Sequence, residues 1–411
     1  MEKLRFRYFD EFSCTGPECP DSCCKNWQIF VSKKEYFAYK KTKCSPRLSA
    51  LFETAFQRMR VDNDTAYVKM KLKEDGSCPF LGEDRLCCIQ KELGEQALSV
   101  TCDVFPRQVA MVGKDALVYS CTLTCCHVAE LLMRHPEGLA LEEKTMEKGD
   151  KPVHASKITL ALDEKWQAFP YIWDIYNTQI DILQNRRFTL AERMLILGYF
   201  SKKADEYSRS EPEKLPSLAN AMRDNDLCEK IARSLAAPQD KIQSASKTVD
   251  LFFKIMTSAQ ADGLAERNHY AHGLFRQVAD GISLRSEKTG ENRYNTFWSN
   301  ERYEGLVEKF SQIFEEKEYF FENIMVNHIF QKDFTRKGIW NSYMAEAIYY
   351  NLMKLCIPAF LPENYSDKDI ALATTYTEKM LVNYCFMEDN LIPDMDEKNS
   401  NSLPHAAFLI C

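Results

Sequence analysis

No stretch of the chain stays apolar for the roughly 18 residues that a membrane-spanning helix needs, so a bilayer-embedded protein is not expected. The opening Met1-Glu2-Lys3-Leu4-Arg5-Phe6-Arg7-Tyr8 lacks the apolar segment of a secretory signal, which points to a cytoplasmic location. Positive charge is not in excess either: the formal net charge is −7, and no basic field of the kind that nucleic acid selects is built up. Histidine is scarce, seven in 411 residues. There is no Gly-rich phosphate cradle, no G-x-S-x-G, no H-E-x-x-H and no G-x-G-x-x-G leading a helix, so kinase, hydrolase and Rossmann chemistry have no motif behind them. Nor is there a motif for an electron-transfer partner.

What the chain has in quantity is cysteine. Twelve of its sixteen fall within the first 126 residues. The densest stretch is Cys14-Thr15-Gly16-Pro17-Glu18-Cys19-Pro20-Asp21-Ser22-Cys23-Cys24, four thiols in eleven residues among Gly, Pro and Asp, a loop composition. Cys78-Pro79-Phe80-Leu81 with Cys87-Cys88, then Cys102-Asp103-Val104-Phe105-Pro106-Arg107, then Cys121 with Cys125-Cys126, repeat the theme. A chain of this length with 45% apolar residues buries a core without disulfides. In a reducing compartment, clustered thiols are expected to be metal ligands or reactive groups.

Thiolate is a soft ligand suited to zinc, copper(I) or iron-sulfur clusters. The loosely spaced thiols, drawn from several loops, fit an iron-sulfur site at least as well as zinc. Cys19-x3-Cys23-Cys24 and Cys121-x3-Cys125-Cys126 only approach the C-x3-C-x2-C of radical enzymes that use S-adenosylmethionine. The doubled cysteines need not both bind one ion. His127, the histidine beside the cysteines, reads as an ordinary polar residue, and the scattered Cys228, Cys356, Cys385 and Cys411 as small buried hydrophobes.

The rest of the chain is read from periodicity. Lys33 to Tyr39 begins a helical pattern, and Phe52, Phe56 and Met59 continue on one helical face. Thr65 to Leu72 alternates as a strand, Val109 to Tyr119 reads as a second strand or as a hairpin around Gly113-Lys114-Asp115, and Cys125 to Arg134 as a helix. His135 to Pro152 has the composition of a linker. Beyond it Ile172, Ile175, Tyr176, Gln179, Ile180 and Leu183 recur at helical spacing, as do Leu251, Phe252, Ile255, Met256 and Ala259. Thr189 with Glu192 and Ser366 with Asp369 have capping-box spacing. Leu190 to Phe200 is apolar on so many sides that a central helix is expected, and Asp394 to Ser402 reads as a loose polar tail. The fold expected is mainly α: a cysteine-rich, loop-heavy metal-binding domain with a few short strands over residues 1–150, then a larger all-helical domain over 151–411 that binds substrate or partner. Divided after Cys126, the chain carries +2 in front and −9 behind, which suits a lysine-bearing partner but is better read as a solvated acidic surface.

Several of these stretches together resemble the flagellin lysine-N-methylases. The resemblance lies in Phe12-x-Cys14-x-Gly16-x-x-Cys19-x-x-x-Cys23-Cys24-x-x-Trp27-x-Ile29, in Cys78-Pro79-Phe80-Leu81 with Leu86-Cys87-x-Ile89-Gln90, Leu93-Gly94-Glu95 and Leu98-Ser99, and in Cys102-x-x-Phe105-Pro106-Arg107. Cys125 to Leu132 and Glu322-Asn323-Ile324-Met325-Val326-Asn327-His328-Ile329-Phe330 are similar to further runs of that family. Asn26 stands where the family often has Gly, and Cys126 where Pro is usual. The thiols that match are Cys14, Cys19, Cys23, Cys24, Cys78, Cys87, Cys102 and Cys125, and these are the candidate metal ligands; Cys44, Cys88, Cys121 and Cys126 fall outside the match. Short cysteine-rich proteins regarded as zinc or iron chelators share the Cys-Cys and Cys-x-x-Phe-Pro pieces.

The resemblance implies methylation of lysine side chains on flagellin, with S-adenosylmethionine as donor and a 4Fe-4S cluster, zinc being the alternative metal; neither nucleic acid nor membrane is an expected partner. The competing expectation is a metal-binding scaffold or interaction protein with no methyltransferase activity. Whatever the metal does, a lysine of pKa about 10.4 has to arrive neutral and in line with the sulfonium methyl. An amine is already nucleophilic, so polar transfer is expected rather than a radical.

Overall fold

The computed structural model describes residues 2–60, 63–113, 116–143, 157–159, 168–236, 241–261, 269–290, 293–331, 338–381 and 391–411. Over these residues the fold is mainly α, with short strands concentrated in the front of the chain and a larger helical part behind.

The first strand, β1 (Glu2–Phe6), owes its place to partners far along the chain. Two strands of the cysteine-rich part come next, β2 (Phe30–Val31) and β3 (Phe56–Arg58), followed by β4 (Val68–Met70), and they make a small antiparallel sheet in the order β2-β4-β3. Then β5 (Arg107–Val112) and β6 (Ala116–Cys121) form a hairpin, the second of the two readings of this stretch, with Lys114 and Asp115 lying outside the described residues. With β7 (Leu141–Glu143) and β8 (Lys157–Thr159) they build a five-stranded mixed sheet ordered β7-β1-β6-β5-β8, in which β1 runs parallel to β6 and antiparallel to β7. The stretch read as a linker therefore returns to the sheet at β7, with His135 and Leu139 buried on the way; its residues from 144 on lie outside the described residues.

Three local readings are corrected. The helix carrying Phe52 stops at Thr54, and Phe56 belongs to β3, with Met59 beyond it. Phe56 pairs with Met70, so a tertiary ladder overrides the helical spacing. The strand read over 65–72 is ladder-paired only at Val68–Met70. The polar tail is not loose: Ile392–Glu397 is a helix with Ile392 and Met395 buried, and the Asn401 side chain accepts from the Trp340 indole and donates to Asn341.

Helices Ile172–Leu183, Leu190–Ser210 and Lys241–Ala261 stand where periodicity places them. Thr189 and Glu192 make the full reciprocal cap, and the Asp369 carboxylate accepts from the Ser366 backbone N–H at 2.8 Å. Leu190–Ser210 is largely buried along its first three turns, as its composition requires, but Ile339–Phe360 is more enclosed still, packed against Leu190–Ser210, Asn300–Ile329, Asp367–Leu381 and Leu403–Ile410. One exposed hairpin, β9 (Arg285–Gly290) with β10 (Arg293–Phe297), interrupts the helices; periodicity does not signal it.

Buried apolar side chains fall into two clusters. A small one runs from Ile29 to Ile89 and is built on stacked rings: Tyr39 and Phe52 have centroids 4.8 Å apart, and Phe80 meets Phe52 at 5.5 Å. The large one joins Phe6, Tyr8 and the β5-β6 hairpin to the helices.

Candidate thiol centre at the seam of the two cores

Local chemistry sets the thiol segments against one another. Asn26 N donates to Gly76 O at 2.9 Å and Cys78 N to Cys24 O at 2.7 Å, so the end of the first thiol loop lies alongside the segment that opens with Cys78. The tight turn after Phe80 brings Leu81 opposite Cys87 and makes Cys87 the residue before the Cys88–Leu93 helix. Cys102 sits in the Val100–Val104 helix, whose start is fixed from two sides. Ser99 accepts from Cys102 N, and the Glu35 carboxylate accepts from Val100 N at 2.6 Å while its second oxygen completes the capping box on Ser32. Trp27 donates its indole N–H to Cys23 O and packs on Phe105, closing the loop from below.

The result is two groups of sulfur. Cys24 lies among Cys23, Cys78, Cys87 and Cys102, near enough for its charge to bear on Cys78, Cys87 and Cys102. Cys19 reaches the other way, to Cys126, with the two Sγ atoms 3.7 Å apart, and it bears on Cys125. Cys14 is exposed, its sulfur accepting from Gly16 N at 3.4 Å, yet it bears on both Cys23 and Cys125 and so stands between the groups. The eight thiols predicted from sequence therefore fall in two adjoining groups, with Cys14 bearing on both.

Burial pushes Cys78 and Cys102 up to about 12 and Cys125 up to about 11. The hydrogen bond to Cys126 draws Cys19 down to about 6, and the bond from Cys23 draws Cys24 down to about 7, while Cys23 and Cys126 are correspondingly raised. The buried members of the set are thus held in the thiol form, while Cys19 and Cys24 are the ones drawn toward thiolate. In donor chemistry the residues fit zinc or an iron-sulfur cluster. As the side chains stand, no group of three or more His, Cys, Asp or Glu among the described residues is arranged to hold a metal ion.

Sequence reading left Cys126 outside the ligand set, and its sulfur lies against Cys19; adjacency to Cys125 was the only available signal. The other excluded thiols have structural places. Cys88 donates to Phe80 O at 2.7 Å, Cys44 borders the small core, and Cys121 is buried with its carbonyl accepting from Asn327 and Gln331. Cys228 and Cys356 are buried as expected, whereas Cys411 is exposed; Cys385 lies outside the described residues. His127 pairs with Glu130 at 3.2 Å.

The Glu322 to Phe330 run explains itself as the joint between the helices and the front of the chain. Glu322 is buried and takes a bidentate grip from Arg186 at 2.9 Å, with Arg193 adding a bond of 2.6 Å. Asn323 donates to the carbonyls of Leu132 and His135, satisfying the end of the Cys126–Met133 helix. Asn327 accepts from Tyr8 Oη and donates to Cys121 O, and the Phe330 ring stacks on Tyr176 at 4.9 Å while meeting Phe6 at 5.8 Å. Thr375, on the Asp367–Leu381 helix, donates to Leu123 O at 3.0 Å, so that helix borders the thiols of the 121–126 segment.

Among the described residues no helix is long and apolar enough to cross a membrane. No solved structure matches the chain. It is 36% identical over 150 residues to a lysine-N-methylase of Salmonella choleraesuis strain SC-B67, a match covering 34% of each chain. To a lysine-N-methylase of Salmonella typhimurium strain LT2 it is 36% identical over 143 residues, again 34% of each. The flagellar biosynthetic protein FliU of Salmonella muenchen is 37% identical over 144 residues, 33% of this chain and 80% of that protein. The chain thus spans about a third of the length of the two lysine-N-methylases it matches. A family model, the FliB lysine N-methylase C-terminal domain, matches residues 176–409. The match takes in more than half of the residues, including the run from Glu322 that ties the helices to the thiol-bearing front, and the chain belongs to the FliB lysine N-methylase family.

Proposed function

We propose that the protein transfers methyl groups from S-adenosylmethionine to the side-chain nitrogen of lysines on flagellin, and that a cysteine-ligated 4Fe-4S cluster, with zinc as the alternative, belongs to its working form. The observation that carries this reading is the gathering of Cys14, Cys19, Cys23, Cys24, Cys78, Cys87, Cys102 and Cys125 beside helices that match the family. The names of its relatives, lysine-N-methylase and a flagellar biosynthetic protein, support the substrate class. In this reading residues 1–150 supply the metal donors, residues 151–411 receive the protein substrate, and the work is done in the cytoplasm.

Four thiols from these eight and Cys126, added to the candidates by its contact with Cys19, would hold the cluster. When bound, the cluster supplies positive charge that lets the thiols ionise and braces the donor pocket. In the transfer, the lysine nitrogen lone pair forms a bond to the sulfonium methyl carbon, the carbon-sulfur bond breaks, its electron pair stays on sulfur, and S-adenosylhomocysteine leaves. The protein holds the amine in line and excludes water, and a proton departs from nitrogen.

The test is mass spectrometry of flagellin incubated with the anaerobically purified protein and S-adenosylmethionine, beside iron, sulfide and zinc analysis. Methylated lysines are expected. Unmodified flagellin with a full metal complement leaves the metal-binding scaffold as the better description.

A further inference from the structure

Asp21 lies in the first thiol loop, two residues from Cys19 and two from Cys23, but it turns toward the helices. Its carboxylate is ion-paired with Lys379 of the Asp367–Leu381 helix and accepts from Tyr270 Oη at 3.3 Å. This is not an ordinary surface pair: the Asp21 side chain is 9% exposed and that of Lys379 is 19% exposed, against 40% and 48% for the Lys203–Glu206 pair. The Lys379 ammonium lies 5.6 Å from the centre of the Tyr270 ring. Tyr376, one helical turn before Lys379, sets its ring edge-on to Tyr270 with centroids 6.4 Å apart, and is backed by Phe360 at 5.5 Å. Tyr376 is close enough to Cys126 to feel its charge, and Asp21 bears on both Cys19 and Cys126. One carboxylate and the Tyr270 ring thus flank a primary ammonium, with Tyr376 packed behind Tyr270 and the Asp21 carboxylate bearing on the Cys19–Cys126 sulfurs.

A half-buried carboxylate walled by tyrosines is a recognition site for an alkylammonium, because the rings and the carboxylate attract the cation while the rings pack on its methylene stem. We propose that Asp21, Tyr270 and Tyr376 form the subsite that receives the ammonium-bearing end of a protein lysine, and that Lys379 fills it as an internal stand-in when no substrate is bound. The inference rests on the lysine-methylation reading for its biological meaning, but the binding it asserts does not require methyl transfer. An incoming lysine exchanges like for like, so the cost of displacement is mainly the ordering of a second long side chain. Lys379 is then a brake: while it is seated, only the displaced fraction of the protein binds substrate at full strength.

In the full chain, a lysine-bearing flagellin peptide and its norleucine counterpart are titrated by calorimetry without S-adenosylmethionine into the wild type, Lys379→Met, Lys379→Arg, and Lys379→Met combined with Asp21→Asn. Lys379→Met is expected to tighten the lysine peptide by about tenfold, as removal of a competitor seated nine times in ten would do, and to lower KM with little change in kcat. The norleucine peptide gains nothing, Lys379→Arg gains nothing, and Asp21→Asn removes the gain. A second measurement does not depend on a variant folding: saturating the wild type with the lysine peptide, and not the norleucine one, should raise labelling of Lys379 by an amine-reactive reagent. Unchanged labelling together with unchanged or weaker binding in Lys379→Met overturns the proposal and leaves Lys379 as a strut. If the lysine peptide binds Lys379→Met more tightly but no protein methylates it, the subsite stands and the methylase reading falls. If the wild type methylates flagellin and Lys379→Met gains nothing, the reverse holds.

Discussion

The core around Phe52 and Phe80 hides a dozen apolar side chains between Ile29 and Ile89, whereas the core around the Ile339–Phe360 helix draws on β1, the β5-β6 hairpin and helices along the rest of the chain. A core of the first size is marginal by itself, because so small a module leaves much of its surface in water. A core of the second size is not. The helical body also spends its buried polar groups on permanent internal partners, as Glu322 does with Arg186 and Arg193, while the thiol module keeps sulfurs that have mainly one another. The body is braced by ion pairs of its own, and the module by a small ring-stacked core with sulfurs along its edge.

Breaking the body should have the largest effect. Glu322→Ala takes the shared carboxylate from Arg186 and leaves buried Arg193 with Glu318 and the Leu183 carbonyl alone; it should cost about 3 kcal/mol, read as a lowered denaturation midpoint for the helical signal. Breaking the module should be local: a chelator, or Cys24→Ser with Cys102→Ser, should loosen it by on the order of 2–4 kcal/mol, the size of a lost covalent staple. Amide hydrogen exchange should then rise across residues 29–102 while the Ile339–Phe360 helix keeps its protection; a uniform rise across both would show that the cores are not separable.

The body has its own proton dependence. Burial alone would lower His328, but Glu378 at 3.4 Å and Glu346 at 3.7 Å more than reverse this and hold it at about 9. With an unfolded value near about 6.5, the folded state binds the proton more tightly. Its contribution is therefore complete below about pH 6.5 and lost as pH rises through about 9. Thermal midpoints of the helical signal should fall over that window for the wild type and fall less for His328→Gln. The smallest effects come from a matched pair of caps. Ser32→Ala in the module and Thr189→Ala in the body should each cost about 1 kcal/mol, the first raising exchange only near residues 33–41 and the second only at the start of Leu190–Ser210.

What was legible in the sequence is what neighbours in sequence decide. The Thr189 and Ser366 caps, the hairpin closed at Gly113 and the Ile172 and Leu251 helices all have their determinants within a few residues. Met59 and Phe56 were misread because the partner that makes a strand of this stretch, Met70, is carried on β4. The candidate ligands were found from loop composition and family resemblance, but Cys126 was not, since its partner Cys19 is 107 positions away. Lys379 beside Asp21 was invisible for the same reason: an ion pair 358 positions apart has no local pattern.

The strand Glu2–Phe6 sits inside its sheet, flanked by residues 116–121 on one side and 141–143 on the other. On a ribosome adding some 5–20 residues per second, it waits roughly ten seconds for its first neighbour and about half a minute for Asn327 to reach Tyr8. The four sulfurs directly behind that strand emerge early and settle late. Throughout that interval they are open to oxygen and to stray ions, so a cell making this protein gains from keeping the nascent front reduced until the last helices have docked.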